Sequence, residues 1–125
     1  MAKEVSTVHA PAAIGPYSQA MIGGQVMCVS GQLPIDPATG EMPEDIQSQT
    51  RQSLENLKVI IEEAGAGMCD VLKTTVYLAD INDFGAANEV YGTFFTKPYP
   101  ARAAFQVAAL PKSAKVEIEA IVYVK

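Results

Sequence analysis

Residues 44–65, EDIQSQTRQSLENLKVIIEEAG, decide the fold. Ile46, Thr50, Ser53, Leu54, Leu57, Ile60, Ile61 and Ala64 recur at steps of three and four, the spacing that lines them along one face of an α-helix. Glu44 and Asp45 stand where the unpaired N–H groups of a helix start favour negative charge. Gly65 supplies the left-handed residue at which such a helix stops. A helix with one apolar stripe must bury it against another element, and the rest of the chain offers six strands to receive it.

Upstream, residues 3–9 and 17–22 read as short strands separated by the loop from Pro11 to Pro16. Val26 to Ser30 follows the Gly23-Gly24 turn and reads as a buried strand, and Asp36-Pro37 through Gly40 and Pro43 as an extended loop. Downstream, Val71 to Ala79 is rich in Thr and Val and reads as a strand. Asp80 or Asn82 can cap a second helix with an inner face of Phe84, Ala87, Asn88, Tyr91 and Phe94 or Phe95, ended by Pro98 and Pro100. Arg102 to Ala109 alternates, with Arg102, Ala104, Gln106 and Ala108 on one face and Ala103, Phe105, Val107 and Ala109 on the other. Lys115 to Val124 alternates more cleanly, setting Val116, Ile118, Ala120, Val122 and Val124 against Lys115, Glu117 and Glu119. The predicted order is three strands, helix, strand, helix, two strands: an α+β domain whose six-stranded mixed sheet carries two helices on one face. No linker or repeat interrupts the chain, so residues 1–125 read as a single domain.

The length of 125 residues, with 49% hydrophobic and 18% charged residues, suits a packed core and excludes intrinsic disorder. A net charge of −5 argues against binding the phosphate backbone of nucleic acids, which needs clustered Lys and Arg. No apolar run approaches the ~20 residues of a membrane span. The N-terminus turns polar at once, without the apolar stretch of a signal peptide, and two cysteines are too few for a disulfide framework. The expectation is a cytoplasmic protein, with Cys28 and Cys69 as core filler.

Arg102 stands in the uncharged run Pro100-Ala101-Arg102-Ala103-Ala104-Phe105, where a guanidinium needs a partner. Two readings fit: a salt bridge to Glu117 or Glu119 on a neighbouring strand, or an anchor for a small carboxylate. Asn88 falls on the apolar stripe of the second helix, so its amide must pair with loop backbone or with a ligand. Tyr17 follows the tight Gly15-Pro16 turn, which either holds its phenol at a cleft or leaves it as an amphipathic core residue. Ser30-Gly31 closes a strand, the glycine admitting close backbone approach or a bulge. Glu117 and Glu119 share one strand face, suiting either solvation or acid–base work, and Arg102 would keep one of them ionised. His9, the only histidine, has no metal-ligand spacing to the cysteines, and no phosphate loop, dinucleotide fingerprint or nucleophile motif is present.

Together these segments resemble the RidA (YjgF) family over nearly the whole chain. The resemblance rests on Ala12-Ala13-Ile14-Gly15-Pro16-Tyr17-Ser18, Val29-Ser30-Gly31-Gln32-Leu33-Pro34, Arg51-Gln52-Ser53-Leu54 with Asn56-Leu57, and Lys73-Thr74-Thr75-Val76. It continues through Asn82-Asp83-Phe84 and Asn88 to Pro100-Ala101-Arg102, Leu110-Pro111-Lys112 and Val116-Glu117-Ile118-Glu119-Ala120. It implies a chorismate-mutase-like α+β fold and a homotrimer with clefts between subunits. It also implies hydrolysis of reactive 2-enamino and 2-imino acids, such as 2-aminoacrylate and its imine, to 2-keto acids and ammonia without a cofactor. Pyridoxal-phosphate-dependent dehydratases release those species. Carried over residue by residue, Arg102 grips the substrate carboxylate, Glu117 positions a water, and Tyr17, Ser30, Gly31 and Asn88 line the cleft. Ala104 stands where many relatives have a cysteine, so a thiol is not essential here, although backbone groups at Ala104 remain within the implied site. Two other readings stay open: a non-catalytic protein that binds 2-keto acids, and an RNA-cleaving translation inhibitor, against which the charge weighs.

Overall fold

The apolar stripe from Ile46 to Ala64 forms the longest helix, α1 (Ile46–Glu63), in a computed structural model that describes residues 1–125. Asp45 caps its start by accepting the Ser48 N–H at 2.9 Å. At its end Gly65 adopts φ +81°, Gly65 N–H donates to the Glu62 carbonyl and Ala66 N–H to that of Ile61. This paired arrangement satisfies carbonyls that the helix end would otherwise strand. Leu54, Leu57, Ile60 and Ile61 are all buried.

Six strands receive that stripe: β1 (Lys3–Val5), β2 (Ala20–Gly23), β3 (Val26–Gln32), β4 (Val71–Leu78), β5 (Ala101–Gln106) and β6 (Val116–Tyr123). They form one mixed sheet in the order β1-β2-β3-β6-β4-β5, in which β4 and β5 run parallel and every other neighbouring pair runs antiparallel. The helix α1 connects β3 to β4 on either side of β6, and α2 (Phe84–Tyr91) is the crossover between parallel β4 and β5. Both helices pack on the same face, as the alternation in β6 requires: Val116, Ile118, Ala120 and Val122 are buried beneath them, with Met27 and Val29 of β3 and Val76 and Leu78 of β4. The other face is open and presents Met21, Cys28, Tyr77, Phe105, Glu117, Glu119, Ile121 and Tyr123. No helix is long and apolar enough to cross a membrane.

Several boundaries differ from those predicted. The first strand stops at Val5 and the second starts at Ala20, because buried Gln19 binds the connecting backbone. Its carbonyl oxygen accepts Thr7 N–H at 2.7 Å, and its amide donates to the Thr7 and Pro11 carbonyls at 3.1 and 2.8 Å. Those groups are then lost to the ladder. Asp80, not Asn82, is the cap; it accepts Asn82 N–H at 2.9 Å and starts the 3₁₀ turn Ile81–Asp83 that runs into α2. That helix ends at Tyr91, well before Pro98, because Thr93 and Phe94 N–H groups turn back to the Val90 and Tyr91 carbonyls. The strand at Arg102 is shorter than expected because its partner β4 ends at Leu78, whose carbonyl takes the last bond, from Val107 N–H. Cys28 and Cys69 are exposed, not core filler: one lies on the open sheet face, the other in the 3₁₀ turn Met68–Asp70.

Candidate functional site

Strand register decides which candidate residues can meet. Arg102 pairs with Thr74 of β4, and Thr74 with Ala120 of β6. Thr74 and Ala120 are buried under the helices, so Arg102 projects to the helix face at the sheet's β5 edge. Glu117 and Glu119 pair with Tyr77 and Thr75, one step out of phase, and project to the open face. Arg102 therefore makes no ion pair with either glutamate within the chain, which overturns the salt-bridge reading. Alternation along single strands could not show this, because the pairing of β4 with its two neighbours sets the phase between them.

Arg102 is held by α2 instead. One guanidinium N–H donates to Asn88 Oδ1 at 2.6 Å. The guanidinium carbon lies 4.7 Å from the Tyr91 ring centroid and 5.2 Å from that of Phe84, so the cation is fixed against two aromatic faces. The remaining donors have no partner in the chain, and the group is exposed. Asn88 is exposed too, not buried as its place in the sequence suggested. It stands one step off the stripe Ala87, Val90 and Tyr91, and turns toward β5. Behind the stack the Tyr91 phenol shares a 2.7 Å hydrogen bond with Thr74 Oγ1, and burial pushes its pKa above the ordinary tyrosine value. A cleft of about 480 Å³ opens here, lined by Asn88, Tyr91, Gly92, Tyr99, Pro100 and Arg102. Ala104 shares the face of Arg102 and packs in part against the core.

The remaining candidates gather around Glu117. A register shift in β3 between Val29 and Gln32 marks a bulge at Ser30-Gly31. Ser30 is tied down twice, its N–H to the Gln19 carbonyl at 2.9 Å and its hydroxyl to the Ser18 carbonyl at 2.6 Å. Gly31 leaves room for the Glu117 carboxyl: a Cβ there would collide with Glu117 Oε2 and lie 2.9 Å from its carboxyl carbon. Burial first, and then the charge of Glu119, raise the Glu117 pKa above the usual glutamate value. That corrects the expectation of a carboxylate kept ionised by a cation in its own chain. Glu119 accepts the Tyr77 hydroxyl at 2.9 Å, and Tyr77, desolvated and beside that charge, also has a raised pKa. Tyr17 leaves a turn in which Gly15 has φ +128°, and is exposed. With Gly31, Leu33, Ile35 and Lys112 it lines a second cleft of about 270 Å³.

The seven candidates thus fall into two groups, Arg102, Asn88 and Ala104 on one side of the sheet and Tyr17, Ser30, Gly31 and Glu117 on the other. No three His, Cys, Asp or Glu side chains cluster as metal ligands. Sequence reasoning missed Phe84, Tyr91, Tyr99 and Lys112 as site residues. Phe84 and Tyr91 carried a signal, since they flank Asn88 on one helix, yet an aromatic stripe reads first as core.

The family model described as Endoribonuclease L-PSP matches residues 7–124, which include both groups. This chain belongs to that family, the YjgF/RidA family. It is 51% identical to the 2-iminobutanoate/2-iminopropanoate deaminase of Salmonella typhimurium, over 97% of each chain. Among solved structures it superposes on E. coli TdcF with bound serine, with a TM-score of 0.94 and 48% identity over 98% of this chain and 99% of that one. RidA from an Antarctic Psychrobacter gives the same TM-score at 49% identity, with the same coverage. The RidA fold and this chain's sheet and helices therefore correspond almost end to end.

Proposed function

We propose that this RidA chain hydrolyses 2-imino acids, formed from 2-enamino acids such as 2-aminoacrylate, to 2-keto acids and ammonia. The observation that carries the reading is Arg102, a guanidinium oriented by Asn88 and two rings yet without any acid in its own chain. A carboxylate from solution supplies that acid, through charged hydrogen bonds worth about 1.5–3 kcal/mol. Kinship with named 2-iminobutanoate/2-iminopropanoate deaminases supports the same substrate class.

The imine carbon is already electrophilic, so the protein's task is orientation more than activation. Water adds to C=N to give a carbinolamine, the nitrogen takes up a proton, and the C–N bond breaks to leave C=O and ammonia. Glu117 is the group suited to hold the water and accept its proton. Because Arg102 and Glu117 lie on opposite faces, one chain cannot apply both to one substrate. A second copy laid against the open face, where Met21, Phe105, Ile121 and Tyr123 are exposed, would bring its Arg102 cleft to Glu117. A closed homotrimer with three such clefts satisfies this geometry. A neighbouring guanidinium would also oppose the upward push that burial gives the Glu117 pKa.

Pyridoxal-phosphate-dependent dehydratases acting on serine or threonine are the reactions that supply such enamines. The test couples the protein to a threonine dehydratase and follows 2-ketobutanoate and ammonia. Acceleration is expected, and unchanged kinetics would remove the assignment. The serine seen in TdcF favours a second reading, binding without turnover; it predicts saturable 2-keto acid binding with no added ammonia release. An RNA-cleaving role sits poorly with a net charge of −5.

A further inference from the structure

Thr74 places a hydroxyl in the core. It stands on the buried face of β4, 1% exposed, in a row that continues with Val76 and Leu78. A hydroxyl in such a place costs stability unless it is hydrogen-bonded, and valine has the same branched shape without the polar atom. Its partner is the Tyr91 phenol, 2.7 Å away. Tyr91 in turn lies under the Arg102 guanidinium at 4.7 Å, and Arg102 is the direct ladder neighbour of Thr74. The three residues close a ring: backbone pairing joins Arg102 to Thr74, a hydrogen bond joins Thr74 to Tyr91, and the aromatic face returns to Arg102. Phe95 supports Tyr91 with ring centroids 4.7 Å apart and an angle of 39°.

We propose that Thr74 and Tyr91 are positioning residues for substrate, the Thr74–Tyr91 hydrogen bond fixing the ring on which the Arg102 guanidinium rests and so the direction of its free donors. The inference rests on the reading of Arg102 as the carboxylate anchor. It assigns a substrate-binding role to a strand residue that no substrate touches. Asn88 holds one N–H of the guanidinium and the Tyr91 ring supports its carbon at 4.7 Å, which leaves the other N–H groups to meet a planar carboxylate. Phe84 offers a second aromatic face at 5.2 Å. Without the Thr74 bond the ring keeps its apolar contacts but loses the tether at its phenol end.

The test measures 2-ketobutanoate affinity by calorimetry, and kcat and KM in the dehydratase-coupled assay, for Tyr91→Phe, Thr74→Val and the double variant. Each single variant is expected to weaken 2-ketobutanoate binding and raise KM by about 3–10-fold, the range of one lost hydrogen bond, with kcat nearly unchanged. The double variant should lose no more than either single one, because both remove the same bond. Thr74→Ser, which keeps the hydroxyl, should restore affinity. In an Arg102→Lys background, Tyr91→Phe should leave the residual affinity unaltered, since the aromatic support then has no guanidinium to orient; a purely structural role would persist there. Wild-type affinity in both single variants, or an equal loss in the Arg102→Lys background, would overturn the inference alone. A wild-type protein that neither binds 2-ketobutanoate nor speeds imine hydrolysis would overturn the functional reading and this inference with it.

Discussion

Replacing Gly31 by alanine separates the geometry of Glu117 from the stability of the fold. The new methyl would collide with Glu117 Oε2, at 2.9 Å from the carboxyl carbon and 3.2 Å from Cγ, so the carboxyl must swing away by about 1 Å or more to reach van der Waals distance. Gly31 does not need a left-handed backbone, so alanine brings no φ penalty. The obstructing atoms are the end of a half-buried side chain, and moving them relieves part of its desolvation. The net stability change should stay within about 1 kcal/mol, or roughly 4 °C in Tm for a chain of this length. Activity should respond far more strongly, because a 1 Å misplacement of a catalytic group costs about 100-fold. The expected result is kcat/KM for imine hydrolysis down by about two orders of magnitude, equivalent to ~2.7 kcal/mol, in a protein that melts nearly as before. Stopped assays of ammonia with the imine generated in situ, beside thermal melts, provide both numbers. A Gly31→Ala variant with wild-type kcat/KM would show that the Glu117 position is irrelevant to turnover.

Arg102→Ala should abolish the acceleration while changing stability by no more than about 1 kcal/mol, since the exposed guanidinium has no ion pair to lose; circular dichroism melts and keto acid formation check both halves. Leu54→Ala, at a fully buried site on the underside of α1, should cost about 2–5 kcal/mol and lower Tm by roughly 8–20 °C in a calorimetric scan. Glu119→Gln removes the like charge that helps raise the Glu117 pKa while keeping an oxygen for the Tyr77 hydroxyl. The Glu117 pKa must therefore fall, and the acid limb of the kcat/KM profile should move to lower pH; a shift to higher pH would refute the cause assigned.

Much of the architecture was legible because it is written locally. The stripe from Ile46 to Ala64 fixes α1 within one residue, and the alternation from Val116 to Val124 fixes the strand that lies near the middle of the sheet. The N-terminal strands were overextended because a single buried amide, Gln19, diverts the backbone of Thr7 and Pro11, an interaction twelve and eight residues distant. Arg102 and Glu117 each stood out by composition. Their separation did not, because it depends on both strands pairing with β4, and a phase set by a third strand has no trace in either pattern. Asn88 drew notice for the wrong reason, as a polar residue on the buried stripe, whereas it stands beside that stripe and its partner lies beyond an irregular segment, in β5.

The two-sided placement of Arg102 and Glu117 has a genetic corollary. If each chain lends its cation to one neighbour and its acid to the other, a lesion in either half disables a cleft shared with a different copy. Co-expressed alleles broken at Arg102 and at Glu117 would then rebuild some intact clefts in mixed rings, although each allele alone is dead. Conversely, an allele broken at both positions would poison sound copies in proportion to its dosage.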